Sequence, residues 1–366
     1  MSATLSIVHT ESSLGWGGQE IRILSEAQGF LRRGHDVKLV CPPEARIFQE
    51  APKWGVPAVP LPIAKKRIIG LKYLVHWLAD NRPHVVSTHS STDTWLSALA
   101  LLVLGRPFPL VRTRHISAPV PRNFLSRWLY TRATTRIVTA GEALKRELIE
   151  RNGIPPQRLD SVPTGIDAGR FRPGDRDAAR RLLDLPLEKK LVGIVATLRS
   201  WKGHRYLIDA VAALPAEVGL VIVGDGPMRE ALQSLIIKKN IQGRAWLAGN
   251  QADVVPWLQA LDVFALPSYA NEGVPQALVQ AMLTGLPCVT TAVGSIAEVA
   301  IPERTALVVP ARDAERLRAS IEKILADEAL KGRLGEAARK HCAANYSYEI
   351  MLDRMETIYR QVSGRR

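Results

Sequence analysis

The sequence predicts an α/β protein built from two doubly wound parallel-sheet domains. Short β-branched apolar runs alternate with amphipathic stretches from end to end, as they do where helices cover both faces of a parallel sheet. The series occurs twice, separated by a polar, Pro- and Gly-rich stretch, PTGIDAGRFRPGDRDAAR at 163–180. The chain of 366 residues also exceeds what one hydrophobic core supports.

In the first half, LSIVHT (5–10), DVKLVCP (36–42), HVVSTH (84–89), PLVRTRH (109–115) and RIVTAG (136–141) read as buried strands. Each is short, β-branched and bounded by Gly, Pro or polar residues. A helical pattern over Glu20–Arg33 stops at Gly34, where a C-cap favours glycine. The second half repeats the scheme with LVGIVATL (191–198), GLVIVGDG (219–226), RAWLAG (244–249), DVFALPS (262–268), PCVTTAVG (287–294) and ALVVP (306–310). A charged helical tail follows over Ala311–Val362, and its last segment, 346–362, carries apolar residues at helical spacing. The expected division is 1–168, 169–345 and a terminal helix over 346–366 that crosses back to the first domain. Two such domains would face a central cleft lined by residues just after the strands.

Charge adds functional content. The net charge is +14, which calls for an anionic partner: phosphorylated substrates, a membrane surface or nucleic acid. Residues 1–165 hold 22 Lys and Arg against 12 Asp and Glu, so most of the excess lies in the first half. Cys41, Cys288 and Cys342 are scattered and form no CxxC pair, which argues against a disulfide framework or zinc cage. No apolar run reaches the ~20 residues of a bilayer span. The opening MSATLSIVHT lacks a basic n-region and reads as a first strand. A cytoplasmic location follows as an expectation.

The strand ends carry the chemistry. After the first strand, Gly15, Gly17 and Gly18 lead into a helix. Such a loop admits close backbone approach to a phosphate, although a tight strand–helix turn would also explain it. The spacing is not GxGxxG, so no dinucleotide fingerprint is present. Arg112, Arg114 and His115 end one strand and His89 another, supplying cations and imidazoles at one edge. In the second half, Arg199 and Lys202 precede a helix starting near His204 and could hold a pyrophosphate together with its N-terminus. Glu272-Gly273-Val274-Pro275 leads into a helix that carries Gln280. There a carboxylate could orient sugar hydroxyls while backbone N–H groups meet phosphate. Asp175-Arg176-Asp177 has metal-chelating DxD spacing, but its place at a helix start is explained by capping.

Together these motifs resemble glycosyltransferase family 4, retaining enzymes of the two-domain, Rossmann-like GT-B architecture. Gly17-Gly18-Gln19-Glu20 with Arg33-Gly34-His35-Asp36-Val37 resembles the family's opening glycine loop and second-strand entry. Val162–Asp167 with Arg170-Phe171-Arg172-Pro173 resembles its interdomain signature, and Thr197–Gly203 its phosphate loop. Val223–Pro227 resembles its GDG turn, Glu272–Gln280 its E-x7-E element, and Tyr346–Tyr359 its terminal helix. Two positions depart from the pattern: Gln280 replaces the second glutamate, and Thr197 stands where the family's arginine does, with Arg199 two residues on.

The resemblance implies transfer of a sugar from a nucleoside-diphosphate sugar to an acceptor hydroxyl, with retention and without a metal or other cofactor. Arg199 and Lys202 would take the diphosphate, and Gly17, Gly18, Gly226, Gly273, Val274, Pro275 and Gln280 would line the donor. Glu272 would orient the donor sugar, and His115 would sit against sugar or acceptor. His89, Arg112 and Arg114 are acceptor-side candidates. Diphosphate-assisted attack on the same face, without a covalent intermediate, and domain closure about the linker are also implied.

The basic excess in the first half suggests a lipid-linked or lipopolysaccharide-type glycan acceptor. Lys65–Tyr73 and Arg122–Arg132 mix cations with aromatic and aliphatic residues, as an interfacial helix does; surface helices packed on the sheet would show the same mixture. Peripheral attachment to an anionic membrane is the expectation drawn from them. A 2-epimerase of the same architecture would need further acid–base carboxylates. A nucleic-acid-binding protein would need a recognisable module, and nucleic acid is not an expected partner.

Overall fold

The computed structural model describes residues 3–115 and 119–364. The chain divides into two units, Met1–Gly165 with Glu349–Arg366, and Ile166–Tyr348.

The first unit holds seven strands: β1 (Ser6–Thr10), β2 (Asp36–Cys41), β3 (Ala58–Pro60), β4 (Val85–Thr88), β5 (Leu110–Arg114), β6 (Arg136–Thr139) and β7 (Leu159–Ser161). They pair in parallel in the order β3-β2-β1-β4-β5-β6-β7. The second unit holds β8 (Lys190–Val195), β9 (Val218–Val223), β10 (Ala245–Gly249), β11 (Val263–Leu266), β12 (Cys288–Thr290) and β13 (Leu307–Val308). Its order is β10-β9-β8-β11-β12-β13, also all parallel. Every strand read from the sequence is present. Two were missed, the edge strands β3 and β7: β3, AVP, sits among prolines and β7, LDS, holds one aliphatic residue, so neither shows an apolar run.

Strand burial follows from the helices on both faces. All of β9 is buried, as are the four residues of β4. Helix Gly18–Arg32 buries Ile23, Leu24, Ala27 and Phe30 against the first sheet. It stops where Gly34 takes φ 82° and the Gly34 and His35 N–H groups close on the Leu31 and Phe30 carbonyls, a left-handed turn that suits glycine. The three cysteines are free and buried, and burial pushes the Cys41 thiol up to about 12.

The last helix, Tyr348–Ser363, buries Met351, Leu352, Met355, Ile358 and Tyr359. Arg33 holds it through Glu349 at 2.6 Å, Asp353 at 2.8 Å and Glu356 at 3.1 Å. Deeper in, Tyr359 Oη lies 2.8 Å from Glu26 Oε1 and 2.9 Å from Ser87 Oγ.

In the second unit Asp175 caps helix Arg176–Leu182 by accepting the Ala178 N–H at 3.0 Å, which is the capping role its position suggested. That helix places Arg180 in the interior, 1% exposed. Its guanidinium donates to the Ala260, Leu187 and Lys189 carbonyls at 2.9 Å each and to Asp262 Oδ2 at 2.7 Å. Asp262 also accepts the Leu191 N–H at 2.7 Å and Arg176 Nη1 at 2.9 Å. This cluster joins the amino ends of β8 and β11. Asp262→Ala should cost about 3–5 kcal/mol because it leaves a buried guanidinium without its anion, read as a lower denaturant midpoint at unchanged slope. Burial alone would raise the Asp262 carboxyl, but the Leu191 N–H and the Arg180 and Lys331 charges hold it below its usual value. The stabilisation is therefore complete above about pH 4 and is lost as pH falls through the depressed folded value. Asp262→Asn should flatten that acid limb.

Candidate functional site

In an open parallel sheet the crevice lies where adjacent strands send their connections in opposite directions. In the second unit that point is between β8 and β11. The loop after β8 is braced by the loop after β9: Leu198 N–H donates to the Asp225 carbonyl and Met228 N–H to the Leu198 carbonyl, both at 3.0 Å. Glycine is required for this approach. A Cβ on Gly224 would lie 2.1 Å from the Ala196 carbonyl oxygen, and one on Gly226 would lie 2.9 Å from the Leu198 backbone. Gly203, at φ 77°, faces the Pro267 carbonyl, which a Cβ would meet at 2.0 Å. Tyr269 N–H completes the junction by donating to the Trp201 carbonyl at 2.8 Å.

This closure brings Lys202 onto Glu272. Lys202 Nζ lies 2.7 Å from Oε1 and 3.0 Å from Oε2, and Ser268 Oγ donates to Oε1 at 2.6 Å. Glu272 is 4% exposed, whereas the Lys202 side chain is 18% exposed. Glu272 lies four residues before helix Gln276–Leu283, so it is a loop residue held by Lys202 and Ser268, not a first-turn residue held by the helix dipole. Gly294, at φ 60°, packs on the Glu272 carbonyl, where a Cβ would come within 2.1 Å. Gly273, Val274 and Pro275 lead into the positive end of that helix, although Pro275 has no N–H to offer. Gln280 lies one turn into the helix and is half-buried. Arg199 stands apart: it is exposed and lies over the Trp201 ring at 5.7 Å. Lys202 and Glu272 are thus one cluster, and Arg199 is a separate cation on the same loop.

In the first unit the corresponding point lies between β1 and β4. Gly17 and Gly18 open helix Gly18–Arg32, and Arg46 over Trp16 at 5.3 Å anchors the loop before them. Two carboxyls at its base were not singled out from the sequence. Glu11 is fully buried and accepts the Ser13 N–H at 2.7 Å and Gln19 Nε2 at 2.5 Å. Asp93 is fully buried and accepts Thr10 Oγ1 and the His89 and Ser90 N–H groups at 2.9 Å each. Burial and then the Asp93 charge raise the Glu11 carboxyl to about 8. Asp93 had a legible signal, since Ser90 and Asp93 form a capping box. Glu11 had none, because its partners depend on the loop's path.

The histidines and arginines expected at this edge are all present there. His89 is buried, with Nε2 2.9 Å from His9 Nδ1 and Nδ1 3.1 Å from His115 Nε2. His115 is half-buried. Burial holds both His89 and His115 well below the ordinary imidazole value. Arg112 and Arg114 are buried against Tyr130: Arg112 stacks on its ring at 4.5 Å and Arg114 donates to its hydroxyl. Tyr130, His9 and Ser268 were not singled out either, since nothing local marks a residue whose role is to hold another.

Residues 16–170 match the family model described as Glycosyltransferase Family 4, and residues 175–341 match Glycosyl transferases group 1. The D-inositol 3-phosphate glycosyltransferase of Mycobacterium tuberculosis (strain ATCC 25618 / H37Rv) is 27% identical over 384 residues, covering 95% of this chain and 79% of that protein. A glycosyltransferase from Rickettsia africae superposes with TM-score 0.89 at 19% identity, covering 98% of each chain. Anabaena HepE in complex with UDP superposes with TM-score 0.88 at 18% identity, covering 98% of this chain and all of the other. The two family matches follow one another along the chain, each unit has the parallel sheet of the GT-B fold, and the chain belongs to the family 4-type glycosyltransferases.

Proposed function

We propose that this glycosyltransferase moves a sugar from a nucleoside-diphosphate sugar to an acceptor hydroxyl, with retention of configuration and without a metal. The observation that carries the reading is the Lys202–Glu272 pair beside the start of helix Gln276–Leu283. Departure of a diphosphate needs fixed positive charge where negative charge develops. Lys202 and the helix terminus supply it, with Arg199 as the outer cation. Glu272, oriented by Lys202 and Ser268, accepts hydrogen bonds from donor-sugar hydroxyls. Gly226, Gly273, Val274, Pro275 and Gln280 line the donor on the second unit. His115 meets sugar or acceptor, with His89, Arg112 and Arg114 behind it. That HepE was solved with UDP supports a nucleotide donor.

The acceptor in this reading is a lipid-linked or lipopolysaccharide-type glycan, met from an anionic membrane surface. Helix Ile68–Asn81 buries Gly70, Leu74 and Leu78 but leaves Ile68 86% exposed, with Ile69 and Tyr73 also outside. Phe124 is 80% exposed and Leu125 is also exposed, beside Arg122 and Arg127. The two segments belong to one surface: Lys66 lies over Trp95 at 5.6 Å, and Trp95 stacks on Trp128 at 6.0 Å. Apolar side chains rimmed by cations suit an interface with anionic headgroups. No helix among the described residues is long and apolar enough to cross a membrane, so attachment would be peripheral.

Three measurements test this. Lys202→Ala should lower kcat by about 10²–10³, the scale of losing one charge-stabilising donor; near-normal turnover would remove its role. A thermal-shift panel of UDP-, GDP- and ADP-sugars should raise Tm by a few degrees for one base, since ~100 Kd of ligand adds ~2.7 kcal/mol. EDTA should leave that shift unchanged. The protein should float with anionic liposomes and not with neutral ones, and Ile68→Glu with Phe124→Glu should abolish flotation; equal recovery with both liposome types excludes the membrane reading.

A further inference from the structure

His9, His89 and His115 stand at the ends of β1, β4 and β5 and form an unbroken row of imidazoles. The contacts are Nδ1 of His9 to Nε2 of His89 at 2.9 Å, and Nδ1 of His89 to Nε2 of His115 at 3.1 Å. The rings are near-parallel, 23° apart for the first pair and 31° for the second. We infer that His9 and His89 are positioning residues that fix the tautomer of His115 through a one-way N–H···N chain, so that His115 carries its proton on Nδ1. The importance of that tautomer for transfer rests on the reading that His115 meets sugar or acceptor; the chain itself does not.

The direction follows from counting protons. Burial lowers all three rings. The neighbouring charges are Glu26 and Arg22 at His9, Arg22 at His89, and Arg22 and Arg114 at His115. Three neutral imidazoles hold three N–H groups, and the two contacts use two of them. The third must sit at one end of the row, on His9 Nε2 or on His115 Nδ1. His9 is fully buried, and its Nε2 has no hydrogen-bond partner. The nearby Tyr359 ring stands edge-on at 6.5 Å, and its hydroxyl is engaged by Glu26 and Ser87. A proton on His9 Nε2 would be a buried donor without an acceptor, a rarer condition than an unpaired buried lone pair. Placing it on half-buried His115 avoids that cost. His9 therefore donates to His89 and His89 to His115. The nitrogen that His115 turns away from the row is a hydrogen-bond donor, suited to a hydroxyl or ether oxygen and unsuited to accepting a proton.

Ring-¹⁵N-labelled histidine in the 366-residue chain tests this by long-range ¹H–¹⁵N correlation, with His115 assigned from the spectrum of His115→Gln. The expected pattern is a neutral Nδ1–H tautomer at His115, constant across the neutral pH range. His9→Leu removes the first donor and should shift His115 to mixed tautomers. His9→Asn keeps an N–H near the Nδ1 position and should restore the single one. An Nε2–H tautomer in the wild-type protein, or a His9→Leu spectrum unchanged at His115, would overturn the inference. Should His9→Leu not fold, the wild-type tautomer still decides the direction. Turnover of His115→Ala is read separately: normal activity would remove the assigned role of His115 and leave the tautomer result standing.

Discussion

A parallel sheet with helices on both faces offers a ligand one crevice, outside the carboxyl edge of its strands. The candidate residues of both sheets lie at that edge, while the Arg180–Asp262 cluster braces the amino ends of β8 and β11. The strands are filled with aliphatic residues that helices cover. The loops after β8 and β11, and after β1 and β4, are held by bonds to one another. Glycines with little freedom of replacement permit that contact: Gly203, Gly224, Gly226 and Gly294 each stand against another segment's backbone. Their role is to let two loops touch, so that Lys202 and Glu272 meet across seventy residues of sequence.

Both units pair buried charge with opposite charge: Lys202 with Glu272 and Arg180 with Asp262 in the second, and Arg22 with Glu26 in the first. The first unit adds neutralisation and sharing. Glu11 and Asp93 are acids close together whose charge the interior resists, and three imidazoles are kept neutral in a hydrogen-bonded row.

The terminal helix contributes more than surface. Its Tyr359 closes the floor beneath His9, engaging Glu26 and Ser87, while Arg33 ties its outer face through three carboxylates. Helix Tyr348–Ser363 is therefore part of the support for an imidazole row assembled from β1, β4 and β5.

What the sequence determined by itself was whatever repeats locally. Strand runs, the Gly34 helix stop, the capping role of Asp175 and the order of family motifs all depend on residues within a few positions of one another. They were readable because propensity and periodicity act at that range. The edge strands β3 and β7 were not, because AVP and LDS hold no apolar run. Only the tertiary structure decided which candidates touch one another: Lys202 with Glu272 and Ser268, His115 with His89 and His9, and both strand arginines with Tyr130. Those groupings arise where separate strands end side by side, and a buried carboxyl such as Glu11 or a buried imidazole such as His9 acquires its chemistry from neighbours that sheet order brings to it. A linear pattern holds no record of that neighbourhood, because desolvation and hydrogen bonding are properties of the packed edge and not of any one segment.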